Sequence, residues 1–127
     1  VLGQRTPIGS KTILVVEDEA LVRFDMTDFF EDRGWQVYEA ENAEQAIALL
    51  DRHGEIRVLL TDVEMPGAMD GLRLAHYVRE RFPPALLFVV SGQAPPSPQA
   101  LPARATFLPK PFDLHHVLRQ IDRSPVG

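Results

Sequence analysis

Six side-chain positions in this sequence have types and placements that suit phosphoryl and metal chemistry. An acidic run, Glu17, Asp18 and Glu19, follows the apolar stretch TILVV, and Asp62 comes just after the stretch VLL. Ser91 follows ALLFVV, and Lys110 follows TFLP. Carboxylates brought together repel one another unless one is protonated or a cation sits between them. An oxygen-only donor set of this kind suits a hard ion such as Mg²⁺, which keeps several waters and takes one or two carboxylates. A lysine adds a compact positive charge that fits a phosphoryl group, and a serine hydroxyl adds a donor. A carboxylate in such a site is also able to act as a nucleophile toward phosphorus. Singly, each residue is weak evidence. An Asp after a strand is usually a helix cap, a Ser-Gly pair a turn, and a Lys before Pro a surface charge.

The elements that must gather these groups are legible. Thr12 to Val16, Val58 to Leu60 and Ala85 to Val90 are apolar at every position, as in strands buried on both faces of a parallel sheet. Trp35 to Ala40 is mixed and Thr106 to Leu108 is short and proline-bounded, so both suit edge strands. Helical stripes lie between. Ala20 to Arg33 carries Val22, Met26, Phe29 and Phe30 and stops at Gly34. Asn42 caps a helix bearing Ala43, Ala46, Ile47 and Leu50, which Gly54 ends. Asp70 caps one with Leu74, Ala75, Val78 and Phe82, which Pro83 and Pro84 close, and Asp113 caps one with Leu114, Val117, Leu118 and Ile121. Between the fourth and fifth strands, SGQAPPSPQALPAR has too many prolines for a full helix and allows a turn or two around Ser97 to Leu101.

Alternating strands and helices imply an α/β fold, a doubly wound five-stranded parallel sheet with a degenerate fourth helix. With the first, third and fourth strands interior, the strand order is 2-1-3-4-5, the flavodoxin-like order. Such folds bind ligands at the carboxyl ends of the strands. That is where Glu17, Asp18, Asp62, Ser91 and Lys110 all fall.

Composition bounds the function classes. The chain has 127 residues, a size typical of one domain. Residues 1–10 read as a lead-in, 11–123 as the domain and 124–127 as a tail. It has no cysteine, which removes disulfides, thiolate metal sites and cysteine nucleophiles and fits a cytoplasmic location. No apolar run approaches a membrane span, so no membrane insertion is expected. Net charge is −5, but residues 17 to 64 hold fourteen acidic and four basic residues, which argues against direct nucleic-acid binding. Only Lys11 and Lys110 are lysines. The four histidines, His53, His76, His115 and His116, lack metal-ligand spacing and read as helix-surface residues. No Gly-rich phosphate loop points to a nucleotide.

The segments ILVVEDE, LLTDVEMPGAMDG, VVSG and FLPKPF resemble the signature blocks of response-regulator receiver domains, from about Thr12 to Arg123. The resemblance implies a signalling module, not an enzyme in its own right, that accepts a phosphoryl group from a histidine kinase or histidine phosphotransfer protein and acts on a downstream protein target. It makes Asp62 the phosphoacceptor. Asp18 would hold Mg²⁺ directly, Glu17 through water, and Asp62 and the backbone carbonyl of Glu64 would complete the protein ligands. Ser91 would bond the phosphoryl group and move on activation, Lys110 would pair with a phosphoryl oxygen, Pro111 would follow a cis peptide bond, and Phe107 would be the aromatic switch. Three departures stand out. The loop MPGAMDG is one residue longer than usual. The proline-rich stretch replaces the fourth helix, part of the usual output surface. Phe107 lacks the hydroxyl of the tyrosine often found there. No output domain follows in this length, so the expectation is a stand-alone regulator or a piece of a larger regulator or hybrid kinase.

Two rival classes are weighed against this. A haloacid-dehalogenase-like phosphatase uses similar groups but puts its nucleophile after the first strand, where this chain has its acidic pair. A receiver-like interaction module that is never phosphorylated has no need of the complete set from Glu17 to Lys110. The side chain of Glu64 is a further candidate, near the path of water attacking phosphorylated Asp62.

Overall fold

The computed structural model describes residues 11–124. Its strands are β1 (Thr12–Val16), β2 (Gln36–Ala40), β3 (Val58–Asp62), β4 (Leu86–Ser91) and β5 (Ala105–Pro109). Its α-helices are α1 (Ala20–Asp32), α2 (Ala43–Arg52), α3 (Gly71–Arg81) and α4 (Leu114–Asp122). All strand pairs are parallel, in the order β2-β1-β3-β4-β5. This is the order expected from the sequence. Residues 1–10 of the expected lead-in and 125–127 of the expected tail lie outside the described residues.

The continuous apolar strands are explained by two cores, one on each face. Leu14, Val16, Leu59, Leu87 and Val89 point to the side covered by α2 and α3, against Ala46, Leu50, Leu74 and Val78. Ile13, Val15, Val58, Leu60, Phe88 and Val90 point to the other, against Met26 and Phe30 of α1 and Val117 and Ile121 of α4. The period-2 alternation of a strand sends neighbours to opposite faces, and helices cover both. The cap residues act as expected: Asn42, Asp70 and Asp113 each accept a hydrogen bond from a backbone N–H of the first turn they precede. Helix α1 ends at Gly34, whose φ of 86° is the left-handed conformation that favours glycine. The N–H groups of Gly34 and Trp35 bond the carbonyls of Glu31 and Phe30, closing the helix with a paired C-cap.

Boundaries differ from the sequence reading in three places. Trp35 precedes β2 instead of opening it, because its N–H is used by the α1 cap. It is buried edge-on to Phe30, at the end of the sheet opposite the acidic residues. Asp62 and Ser91 are the last residues of β3 and β4, inside the ladder instead of just past it. Strand β5 runs one residue longer at each end than TFL. The proline-rich segment forms only a short 3₁₀ turn, Pro98–Ala100, and α3 pins it. The His76 ring is 2.7 Å from the Ala100 carbonyl, and Arg79 Nε donates to the Ala103 carbonyl at 2.7 Å.

Candidate functional site

The carboxyl ends of β1, β3, β4 and β5 meet at one rim, and the parallel register fixes which residues stand there. Thr61 pairs with Val16, Asp62 with Val90 and Ser91 with Pro109. Glu17 therefore emerges beside Asp62, with Ser91 and Lys110 on the other side. Glu17, Asp62 and Ser91 are buried, at 1%, 5% and 2% exposure, whereas Asp18 faces solvent.

Oxygen atoms of Glu17, Asp18 and Asp62 all lie within 4.8 Å of one another. Lys110 Nζ donates to Asp62 Oδ2 at 2.8 Å and lies 3.9 Å from Glu17 Oε1. The Lys110–Pro111 peptide bond is cis. The Glu64 N–H faces Asp62 Oδ1 at 3.3 Å. Ser91 Oγ donates to Glu64 Oε2 at 2.6 Å and accepts from the Gln93 N–H at 2.9 Å. Phe107 is half-buried beside the core on the α2/α3 side, paired in register with Val89.

Glu17 carries the electrostatic strain. Burial, with Asp62 adding repulsion, pushes its carboxyl up to about 7 from an ordinary value near 4.5, although the Glu19 N–H bonding Oε2 at 3.0 Å pulls the other way. Lys110 is raised: its burial lowers it, but the bond to Asp62 and the charges of Asp62, Glu17 and Glu64 outweigh that. Glu17 Oε1 is buried with no hydrogen-bond partner. An orphaned buried carboxylate oxygen beside two further carboxylates fits a divalent cation, and Glu17, Asp18 and Asp62 are the side chains that would hold it.

A stability consequence follows. An acid whose value is raised on folding stabilises the fold most when protonated, so its contribution is present below pH 4.5 and lost as pH rises through about 7. Without metal, stability is expected to fall by ~2–3 kcal/mol between those limits through this one group. Thermal unfolding of the chelator-treated protein across that range, against Glu17→Gln, checks it. The glutamine variant should lose this slope, and saturating Mg²⁺ should remove it from the parent protein.

One residue of the rim was not anticipated. Arg23 donates from its guanidinium to the Glu17 carbonyl at 2.7 Å and from Nε to Glu39 at 2.9 Å, tying the acidic loop to β2. It is the one basic residue between Glu17 and Asp32, a signal the sequence did offer.

A five-stranded parallel sheet in this order, with three carboxylates, a hydroxyl and a lysine gathered at its carboxyl rim, defines a receiver-type α/β domain. The chain belongs to the response regulator receiver domain family, whose pattern it matches over residues 13–122. It is 39% identical over 110 residues to the sensor kinase CckA of Brucella abortus, covering 84% of this chain. The crystal structure of the receiver domain from hybrid histidine kinase CckA is similar at a TM-score of 0.74 and 33% identity, covering 88% of this chain and 96% of that one. The response regulator TrrA of Thermotoga maritima, crystallised with Mg²⁺ and beryllofluoride, is similar at 0.71 and 26%, covering 87% and 98%. The chain spans 12 to 24% of the length of the first three curated relatives it matches. The acidic pocket of Glu17, Asp18 and Asp62 is typical of the phosphorylation site of receiver domains. Among the described residues no helix is long and apolar enough to cross a membrane.

Proposed function

We propose that the domain takes a phosphoryl group from a histidine kinase or histidine phosphotransfer protein onto Asp62 and signals to a protein target by a shift between two conformations. The observation that carries this is the ion pair of Lys110 with Asp62 inside a carboxylate trio that leaves Glu17 Oε1 without a hydrogen-bond partner. In the transfer, an Asp62 carboxylate oxygen forms a bond to phosphorus as the donor's P–N bond breaks. The electron pair leaves on the imidazole, which takes up a proton. Bound Mg²⁺ would supply positive charge to the phosphoryl oxygens. Lys110 would pair with a phosphoryl oxygen, the Glu64 carbonyl would be a further ligand for the metal, and Ser91 would donate its hydroxyl once the phosphoryl group is in place. Phe107 is the residue whose ring would repack on activation.

The donor must reach a pocket whose floor is buried, so it has to seat on the rim. Leu21 and Phe24, one turn apart on α1 just after the acidic run, are 81% and 62% exposed and offer it an apolar contact. On this reading the domain works in the cytoplasm, where a histidine kinase supplies the phosphoryl group, and uses Mg²⁺ held by Glu17, Asp18 and Asp62.

Incubation with acetyl phosphate and Mg²⁺ tests the proposal. Intact-mass measurement is expected to show one added phosphoryl group, lost when the metal is chelated. Absence of any adduct, together with unchanged amide NMR shifts around Asp62 and Lys110 on adding Mg²⁺ and beryllofluoride, would sink it.

A further inference from the structure

The Ser91 hydroxyl has one proton, and Glu64 holds it. The 2.6 Å bond from Ser91 Oγ to Glu64 Oε2 is made by a hydroxyl on a side chain only 2% exposed, and its acceptor capacity is partly used by the Gln93 N–H. Glu64 is an exposed loop residue, yet its carboxylate is not turned to solvent alone. Glu64 instead folds back over the pocket mouth, with its own N–H against Asp62 and its charge felt by Lys110. A carboxylate and a phosphoryl group are both anionic oxygen acceptors, and a single hydroxyl cannot donate to both.

We infer that Glu64 is a positioning residue that competes with the incoming phosphoryl group for the Ser91 hydroxyl, an anionic latch that has to release before Ser91 can close on phosphorylated Asp62. The latch holds Ser91 in one rotamer in the resting state, and its release is part of the cost of activation. It also sets like charge beside the entering group, so two effects must be separated: competition for the proton and simple repulsion. The inference rests on the phosphoacceptor reading above.

A double-mutant cycle separates them. Beryllofluoride affinity in saturating Mg²⁺ is measured by NMR titration for the parent protein, Glu64→Ala, Ser91→Ala and the double variant. Glu64 is exposed, so its truncation leaves the core untouched. Glu64→Ala is expected to bind about tenfold more tightly, the scale of one hydrogen bond to a charged group. In the Ser91→Ala background the gain should shrink to about twofold, the screened repulsion alone. Glu64→Gln, which keeps an acceptor but not the charge, should fall between. In the unliganded protein the Ser91 Hα–Hβ couplings should report one rotamer, averaging in Glu64→Ala. An equal gain in both backgrounds, or none, overturns the latch while leaving the phosphoacceptor reading intact. Failure of the parent protein itself to bind beryllofluoride overturns both.

Discussion

Asparagine in place of Asp62 is expected to abolish phosphoryl uptake entirely while the fold survives. The substitution keeps shape and volume at a position 5% exposed and leaves the β3 ladder unchanged. It removes the anionic oxygen that attacks phosphorus, and an amide is no substitute nucleophile. Lys110 loses the partner 2.8 Å away but keeps Glu17 at 3.9 Å, so the cation is not stranded. A second effect goes with the first. Asp62 helps to raise Glu17, so in Asp62→Asn the unliganded protein should lose less stability as pH rises through about 7 than the parent does. Mass measurement after acetyl phosphate treatment reads the first effect, and thermal unfolding against pH the second. Uptake that persists in the variant would place the acceptor elsewhere.

Gly71→Ala should cost the fold ~3 kcal/mol or more, a large effect for one methyl group. The Gly71 N–H bonds the Val63 carbonyl at 2.9 Å, which draws the start of α3 hard against the end of β3. A Cβ here would overlap the Asp62 carbonyl oxygen and come within 2.7 Å of the Asp62 carbonyl carbon and 2.9 Å of Thr61 Oγ1. These are mostly backbone atoms of a strand fixed by neighbours on both sides, so no rotamer change relieves the overlap. Relief requires moving α3 outward or dragging Asp62 off the rim, and the second route would weaken Mg²⁺ binding as well. Denaturant unfolding and a Mg²⁺ titration measure the two. Gly92→Ala is the control: a Cβ there meets nothing within 4 Å, and its unfolding midpoint should be near that of the parent. Equal midpoints for Gly71→Ala and the parent would show that the helix yields easily.

The sequence made the scaffold plain because burial on both faces forces strands such as ILVV and LLFVV to be apolar at every position, and because Asn42, Asp70 and Asp113 announce helix starts. The rim residues were legible for the same reason: each stands directly at the end of a strand whose register is set by those runs. What escaped was contact between side chains from different loops. Glu64 reaching Ser91 crosses from the loop after β3 to the end of β4, and no periodicity encodes that. Arg23 reaching back to Glu17 is a helix side chain turned against its own entry loop. The histidines show the same limit. His76 is an exposed helix residue as expected, yet its ring fastens the proline-rich segment, while His53 stacks on Tyr38 at 4.1 Å. The expected loss of a helix after Ser91 was readable from four prolines, but the hydrogen bonds that replace the helix were not.

The rim draws its acids from the loop just after the first strand and from the end of the third, and its cation from just after the fifth, so the pocket is assembled from segments far apart in the chain. Local folding of one hairpin or one helix–strand unit assembles none of it. Lys110 reaches the rim through β5, and the pairing of β5 with β4 is what sets its charge against Asp62 and Glu17. Occupancy of the rim and stability of the sheet are thus linked. A cation bound there, holding groups from across the sheet, stabilises the folded state by an amount set by its concentration relative to its dissociation constant.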